Sequence, residues 1–101
     1  MKTLQLYIGS NNDTKNVELD KIRELLTASG FDGWTEIPSY GMWKGTEEYS
    51  VIIEVLVDET KLAYMTLLVD LRRGLKQEAI GYRLIEPLQF HAQTSSDVSA
   101  A

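Results

Sequence analysis

The side chains best suited to ligand chemistry lie in one short stretch of the sequence, from Gly41 to Ser50. An indole, an ammonium group and neighbouring carboxylates occur there beside glycines, which permit a sharp bend and a close approach to the backbone. We predict that the stretch forms either a recognition loop or an elaborate hairpin between two strands. Its predicted ligand-binding residues, with the tyrosine that precedes it, are Tyr40, Met42, Trp43, Lys44, Gly45, Glu48 and Ser50.

Several side chains in this stretch have both a functional and a structural interpretation. Trp43 could stack on a base or another planar group, or it could simply close the hairpin. Lys44 could pair with a phosphate or a carboxylate, or it could be solvated. Adjacent residues of a strand point to opposite faces, so Glu47 and Glu48 do not form a facing pair for acid–base catalysis. The stretch therefore favours binding over catalysis.

A second candidate site follows the first predicted strand. The amide side chains of Asn11 and Asn12 could bind a ligand at that end of the sheet, although a plain polar turn is the alternative. The sequence has no cysteine and a single histidine, His91. Because this histidine also lies at the junction with the predicted tail, we exclude histidine metal clusters and Ser-His or Cys-His nucleophile systems within one chain. We expect no catalytic residue, no metal and no other cofactor.

Length and composition limit the domain organisation and the partners. The 101 residues suffice for one core, and we expect one domain over residues 1–90 and a disordered tail over the small, polar residues 91–101. Fifteen acidic residues against ten basic ones give a net charge of -5, which disfavours duplex nucleic acid. The lack of cysteine and of a long apolar run predicts a cytoplasmic protein with no membrane partner.

Hydrophobic periodicity predicts the element order β-α-β-β-α-β. Alternation of Leu4, Leu6 and Ile8 is typical of a half-buried strand. The later elements are predicted as a helix from near Val17, a strand from 34 to 37 that runs toward the hairpin stretch, a strand from 49 to 57, a helix starting at 58–60 and a strand from 80 to 85. Pro38 cannot donate to a sheet ladder, so it marks either an edge strand or the end of pairing. With right-handed crossovers, this order gives an α+β ferredoxin-like fold, in which two helices cover one face of a four-stranded antiparallel sheet.

The segment from 49 to 57 is apolar on both predicted faces. One apolar face suffices to hold the helices, so the other suggests that a second subunit covers the open side of the sheet. Glu54 should lie there near Gln5, and a Glu–Arg pair buried across the interface would explain its position. The predicted interface residues are Tyr7, Ile52, Glu54, Leu56 and Arg83.

The run Trp43-Lys44-Gly45-Thr46-Glu47, followed by Tyr49, resembles the ligand-responsive loop of PII-like signalling proteins. In the nitrogen-regulatory members of that group, a Lys-Gly is followed by Thr-Glu and Tyr between the second and third strands. The resemblance implies a homotrimer whose ligand clefts lie between subunits and are reached by this loop. PII proteins hold nucleotide phosphates with a Gly-Asp-Gly-Lys turn before the last strand, and the corresponding place here, 77–81, has no basic residue.

Three functions follow as hypotheses. The leading one is a non-enzymatic module that binds a small, nucleotide-like, anionic ligand, either to signal or to sequester it as phage-encoded decoys of nucleotide messengers do. The second is a small ferredoxin-like dimeric enzyme of the monooxygenase or isomerase type, which would use Tyr7, Glu54 or Tyr82 in a cavity. The third is an assembly subunit that docks a protein through Trp43 and Tyr40.

Overall fold

The six elements occur in the predicted order and build the predicted fold. The computed structural model describes residues 1–11 and 13–91, with β1 Lys2–Gly9, α1 Leu19–Ala28, β2 Thr35–Trp43, β3 Thr46–Val57, α2 Ala63–Gly74 and β4 Gly81–Ile85. The strands form one antiparallel sheet in the order β2-β3-β1-β4. The ferredoxin-like α+β fold is thereby confirmed. Asn12 and residues 92–101, most of the predicted tail, lie outside the described residues.

The core lies between the sheet and the two helices. Alternate residues of β1 and β3 point into it, and both helices contribute fully buried leucine or isoleucine side chains. Full burial of one such side chain stabilises the fold by about 1.5–3 kcal/mol. The largest fully buried side chains are Leu4, Leu6, Ile8, Ile22, Leu26, Ile53, Leu67 and Leu71.

Both helices begin later than the sequence predicted. The helix predicted from near Val17 is present, and α1 begins two residues later, at Leu19. Before it, the Asn11 side-chain oxygen accepts hydrogen bonds from the backbone N–H groups of Asp13 and Thr14, which holds the chain in a turn. Asp58 likewise accepts from the Thr60 N–H and hydroxyl, and α2 begins only at Ala63. Such local bonds compete with helix formation.

The segment between β2 and β3 is a hairpin, the second of the two predicted alternatives. Of the two predicted meanings of Pro38, the edge strand is the one found: β2 continues to Trp43, and Pro38 pairs with Val51 in register. A proline is tolerated there because β2 is an edge strand. Lys44 and Gly45 make the turn with φ angles of 50° and 77°, the positive values of a two-residue type I′ turn.

The sheet has one face without helices, which we call the open face. Strand register places the predicted interface residues together on this face: Tyr7, Ile52, Glu54, Leu56 and Arg83. Leu56 is 50% exposed there. Within this chain Gln5 stands between Glu54 and Arg83, and the predicted Glu–Arg pair across a subunit interface stays a prediction. The Gln5 amide donates to Glu54 Oε2 at 2.8 Å, and Arg83 Nε donates to Gln5 Oε1 at 2.7 Å.

Neither helix in the described part of the chain combines the length and the apolar character needed to cross a membrane.

Candidate functional site

A cavity of about 460 Å³ lies on the open face, where the hairpin leaves the sheet. Its first wall is the hairpin itself, and its second is the end of β1. Strand register explains why these segments meet: Gly41 pairs with Glu48, and Ser50 pairs with Gly9. The residues of these two walls are Tyr7, Gly9, Gly41, Met42, Trp43, Glu48 and Ser50.

The third wall is the segment between α2 and β4, which contributes Gln77, Glu78, Ala79 and Gly81. This segment leaves α2 through a Schellman turn, because Lys76, with φ 55°, and Gln77 donate backbone hydrogen bonds to Arg73 and Arg72 at 3.1 and 2.9 Å. The Gln77 side-chain amide then lies 3.4 Å from the carbonyl oxygens of Gly9 and Ser10. The end of α2 is thereby tied to the end of β1.

The Glu48 carboxylate is held in a defined position. Its Oε1 accepts a hydrogen bond from the Ser10 backbone N–H at 3.1 Å, and the side chain is half-buried. It lies directly over Gly9, where a Cβ would collide with Oε1. Glycine at position 9 is therefore a requirement of this placement.

Tyr7 is fixed by the polar network of the open face. Its hydroxyl donates to Gln5 Oε1 at 2.9 Å and accepts from Arg83 Nη2 at 2.6 Å. The Arg83 guanidinium also lies 5.5 Å from the centre of the Tyr7 ring, within the range of a cation–π contact. The network that contains Glu54 and Arg83 thus positions a residue of the cavity wall.

The charge of the cavity is acidic. Glu48 and Glu78 line it, and no lysine or arginine does among the residues that the structure describes. Lys44 lies at the hairpin turn with its ammonium group 5.7 Å from the centre of the Trp43 ring. A phosphate inside the cavity would meet like charge, whereas hydroxyl groups, amines and cations would find acceptors.

A large pKa shift belongs to a carboxylate outside the cavity. The pKa of Glu36 is lowered to about 2, because Arg23 donates two hydrogen bonds to it and the Trp34 indole donates a third. Glu36 lies on β2 and Arg23 on α1, so this ion pair ties the first helix to the edge strand. Trp34, which also packs against the core, has a structural role here.

The structure brings together some of the predicted ligand-binding residues and separates others. Met42, Trp43, Glu48 and Ser50 line the cavity together with Tyr7, which was predicted for the interface. Outside it lie Tyr40 and the turn residues Lys44 and Gly45; the Tyr40 ring packs at a tilt against Tyr49, with the ring centres 5.2 Å apart. Asn11 also lies outside the cavity, because its side chain is bonded within its own loop and to Glu18. The predicted contribution of Asn12 falls outside the described residues.

Sequence reasoning missed Gly9 and the side chains of the third wall as site residues. A strand that ends in glycine was the available signal for Gly9, but the need for that glycine comes from Glu48, which is distant in sequence. The third wall was visible only through the resemblance, as the segment that precedes the last strand.

Trp43 is 65% exposed and Tyr40 55% exposed, on opposite faces of the hairpin. Protein docking through these side chains stays a prediction.

No family model matches the sequence, and no curated protein matches it. Among solved structures, a DUF3240 family protein from Shewanella baltica is similar with a TM-score of 0.64 and 16% identity, over 92% of this chain and 97% of that one. A phage SAM lyase in its apo state is similar with a TM-score of 0.64 and 16% identity, over 89% of this chain and 92% of the lyase. At this identity the likeness is evidence for the shared fold alone.

Proposed function

We propose that the protein is a non-enzymatic module that binds a small nucleotide-like ligand in the cavity at the base of the hairpin. The observation that carries the proposal is the convergence of Trp43, Glu48 and Ser50 from the hairpin with Tyr7 from β1 around one cavity. Its volume of about 460 Å³ lies in the range of small-molecule sites.

The walls suggest how such a ligand would bind. The exposed indole of Trp43 offers a stacking surface for a base, and such stacking contributes about 1–3 kcal/mol. Because the cavity contains Glu48 and Glu78, an anionic group on the ligand would lie outside it, toward Lys44 at the turn. The ligand would therefore place its nucleoside part inside the cavity and any phosphate at the rim.

A second copy of the chain would complete this site. The cavity opens on the same face that exposes Leu56 and Tyr7, and burial of apolar surface there would favour association. We propose a homo-oligomer with the ligand clefts between subunits, and the PII-like resemblance favours a trimer. The module would act in the cytoplasm, to signal or to sequester the ligand.

The test combines light scattering with a thermal-shift assay on a panel of mononucleotides and cyclic nucleotides. A ligand at a hundredfold excess over its Kd should stabilise the protein by about 2.7 kcal/mol. Trp43→Ala should weaken this response, whereas Tyr40→Ala, which removes an exposed aromatic side chain from the other face of the hairpin, should not. A panel without any response would overturn the proposal, and a monomer in solution would overturn the shared cleft.

A second candidate is an enzyme that acts on S-adenosylmethionine, the substrate named for the phage lyase of similar fold. The acidic cavity favours it, since this substrate combines a nucleoside with a sulfonium cation that Glu48 and Glu78 would attract. Tyr7 lines the cavity as the enzyme hypothesis requires, whereas Glu54 and Tyr82 do not.

Incubation with S-adenosylmethionine, followed by chromatography of the nucleoside products, separates the two candidates. Consumption of the substrate supports the enzyme, and binding without turnover supports the module. S-adenosylhomocysteine, which lacks the sulfonium charge, is the matched control ligand and should bind more weakly if Glu48 and Glu78 attract the cation.

A further inference from the structure

The Glu48 carboxylate is oriented by the protein before any ligand arrives. Ser10 uses Oε1, and among the residues that the structure describes no donor bonds Oε2, which faces the cavity as an acceptor. Gly9 provides the space in which the carboxylate lies. A carboxylate fixed in this way selects a ligand by the donors that the ligand presents.

Strand pairing sets the spacing between the two backbone positions that carry this carboxylate and the stacking surface. Trp43 pairs with Thr46, and Gly41 pairs with Glu48 as the next pair on the same face. Trp43 and Glu48 are therefore diagonal neighbours on paired strands, and such neighbours are about 7–8 Å apart, which is roughly the distance between a nucleobase and the far side of its ribose. Gly41 has no neighbouring atoms where its side chain would be, so the space between the indole and the carboxylate is open.

We infer that Glu48 recognises the sugar of the ligand. Its carboxylate accepts hydrogen bonds from the vicinal 2′- and 3′-hydroxyl groups of a ribose while Trp43 stacks on the base. This inference rests on the proposed nucleotide-like ligand and names the group that makes the ligand a ribonucleoside. An acidic side chain binds a ribose hydroxyl in the same chemical sense in dinucleotide-binding folds. Hydrogen bonds from hydroxyls to an ionised carboxylate are short and strong.

The test measures binding of four ribonucleosides and their 2′-deoxy counterparts by isothermal titration calorimetry: adenosine, guanosine, cytidine and uridine, each against its deoxy form. We expect the ribonucleoside of at least one pair to bind about tenfold or more tightly, as loss of one hydrogen bond to a charged group predicts. Equal affinities within every pair that binds would overturn this inference and leave the proposed function standing. Absence of binding by every nucleoside and nucleotide would overturn both.

Two variants assign the preference to Glu48. In Glu48→Gln, the amide oxygen can keep the Ser10 bond, but an NH₂ donor replaces the second carboxylate oxygen. The ribonucleoside and its 2′-deoxy form should then bind with about equal affinity. Gly9→Ala should have a similar effect by displacing the carboxylate, which can move because it is the end of a flexible side chain. Glu47→Gln makes the same charge change on the opposite face of the hairpin and should keep the preference. Retention of the preference in Glu48→Gln would overturn the assignment.

Discussion

The two faces of β3 differ although they belong to one strand. Toward the helices, its valines and isoleucine are buried and at most 5% exposed. Toward the open face, Ile52 and Glu54 are half-buried and Leu56 is 50% exposed. The helix-covered face provides stability within one copy of the chain, whereas the open face contains the cavity and is available for a second copy.

The largest expected effect separates these two faces with a single pair of substitutions. Ile53→Ala should reduce the free energy of unfolding by about 2–5 kcal/mol, because Ile53 is fully buried and its removal leaves a cavity. Ile52→Ala, one residue earlier on the open face, should cost less than about 1 kcal/mol in an isolated chain. Urea unfolding of both variants by circular dichroism is the measurement.

The stability losses of the two variants should depend differently on protein concentration. If copies cover the open face, the cost of Ile52→Ala should grow as concentration rises and association contributes to stability. The cost of Ile53→Ala should stay constant. Equal losses for both variants at low concentration would contradict the division of the strand into a core face and an open face.

The second prediction concerns the polar network of the open face. Gln5→Ala should destabilise the protein by about 1 kcal/mol, since it removes the bridge between Glu54 and Arg83 and leaves the half-buried Glu54 without that partner. Lys2→Ala is the control: its partner Glu86 is exposed, and such pairs contribute little. A Gln5→Ala variant as stable as Lys2→Ala would mean that the network positions Tyr7 without stabilising the fold.

The contrast between the faces also explains what the sequence could reveal. Period-two alternation predicted the core face of β1, and the periodicities of all six elements predicted the fold, because burial of apolar side chains follows these local patterns. The β3 segment, apolar on both faces, was predicted only as a strand. Strand and helix ends were harder to predict: hydrogen bonds accepted by the Asn11 and Asp58 side chains hold turns that delay the helices, and an edge position lets β2 continue through Pro38. The Glu48–Gly9 contact and the third wall depend on register between distant segments, which no local pattern contains.

The third prediction is a pH dependence that belongs to the helix-covered side. The folded-state pKa of Glu36 is about 2, below the ordinary value of 4.5, so its ionised form stabilises the fold above about pH 4.5. That contribution should be lost as the pH falls toward 2. Because Arg23 is half exposed, we expect about 1 kcal/mol.

Urea unfolding across this acidic range, compared with Glu36→Gln, isolates the effect. The variant should lose the stabilisation at neutral pH and show a flatter acid profile than the parent. An unchanged profile would show that the ion pair between α1 and β2 contributes nothing measurable to the helix-covered side.

The smallest expected effect on stability concerns the Schellman turn that links α2, on the helix-covered side, to the third wall of the cavity on the open face. Lys76 has φ 55° there, a conformation that favours glycine, so Lys76→Gly should stabilise the protein by about 0.5–1 kcal/mol. Lys21→Gly, within α1, should instead destabilise it by about 1 kcal/mol. Thermal unfolding measures both.

The same variant also tests the third wall of the cavity. Because the turn places Gln77 against Gly9 and Ser10, the stabilised variant should bind the ligand at least as tightly as the parent. Weaker binding despite higher stability would mean that the third wall must move when the ligand enters.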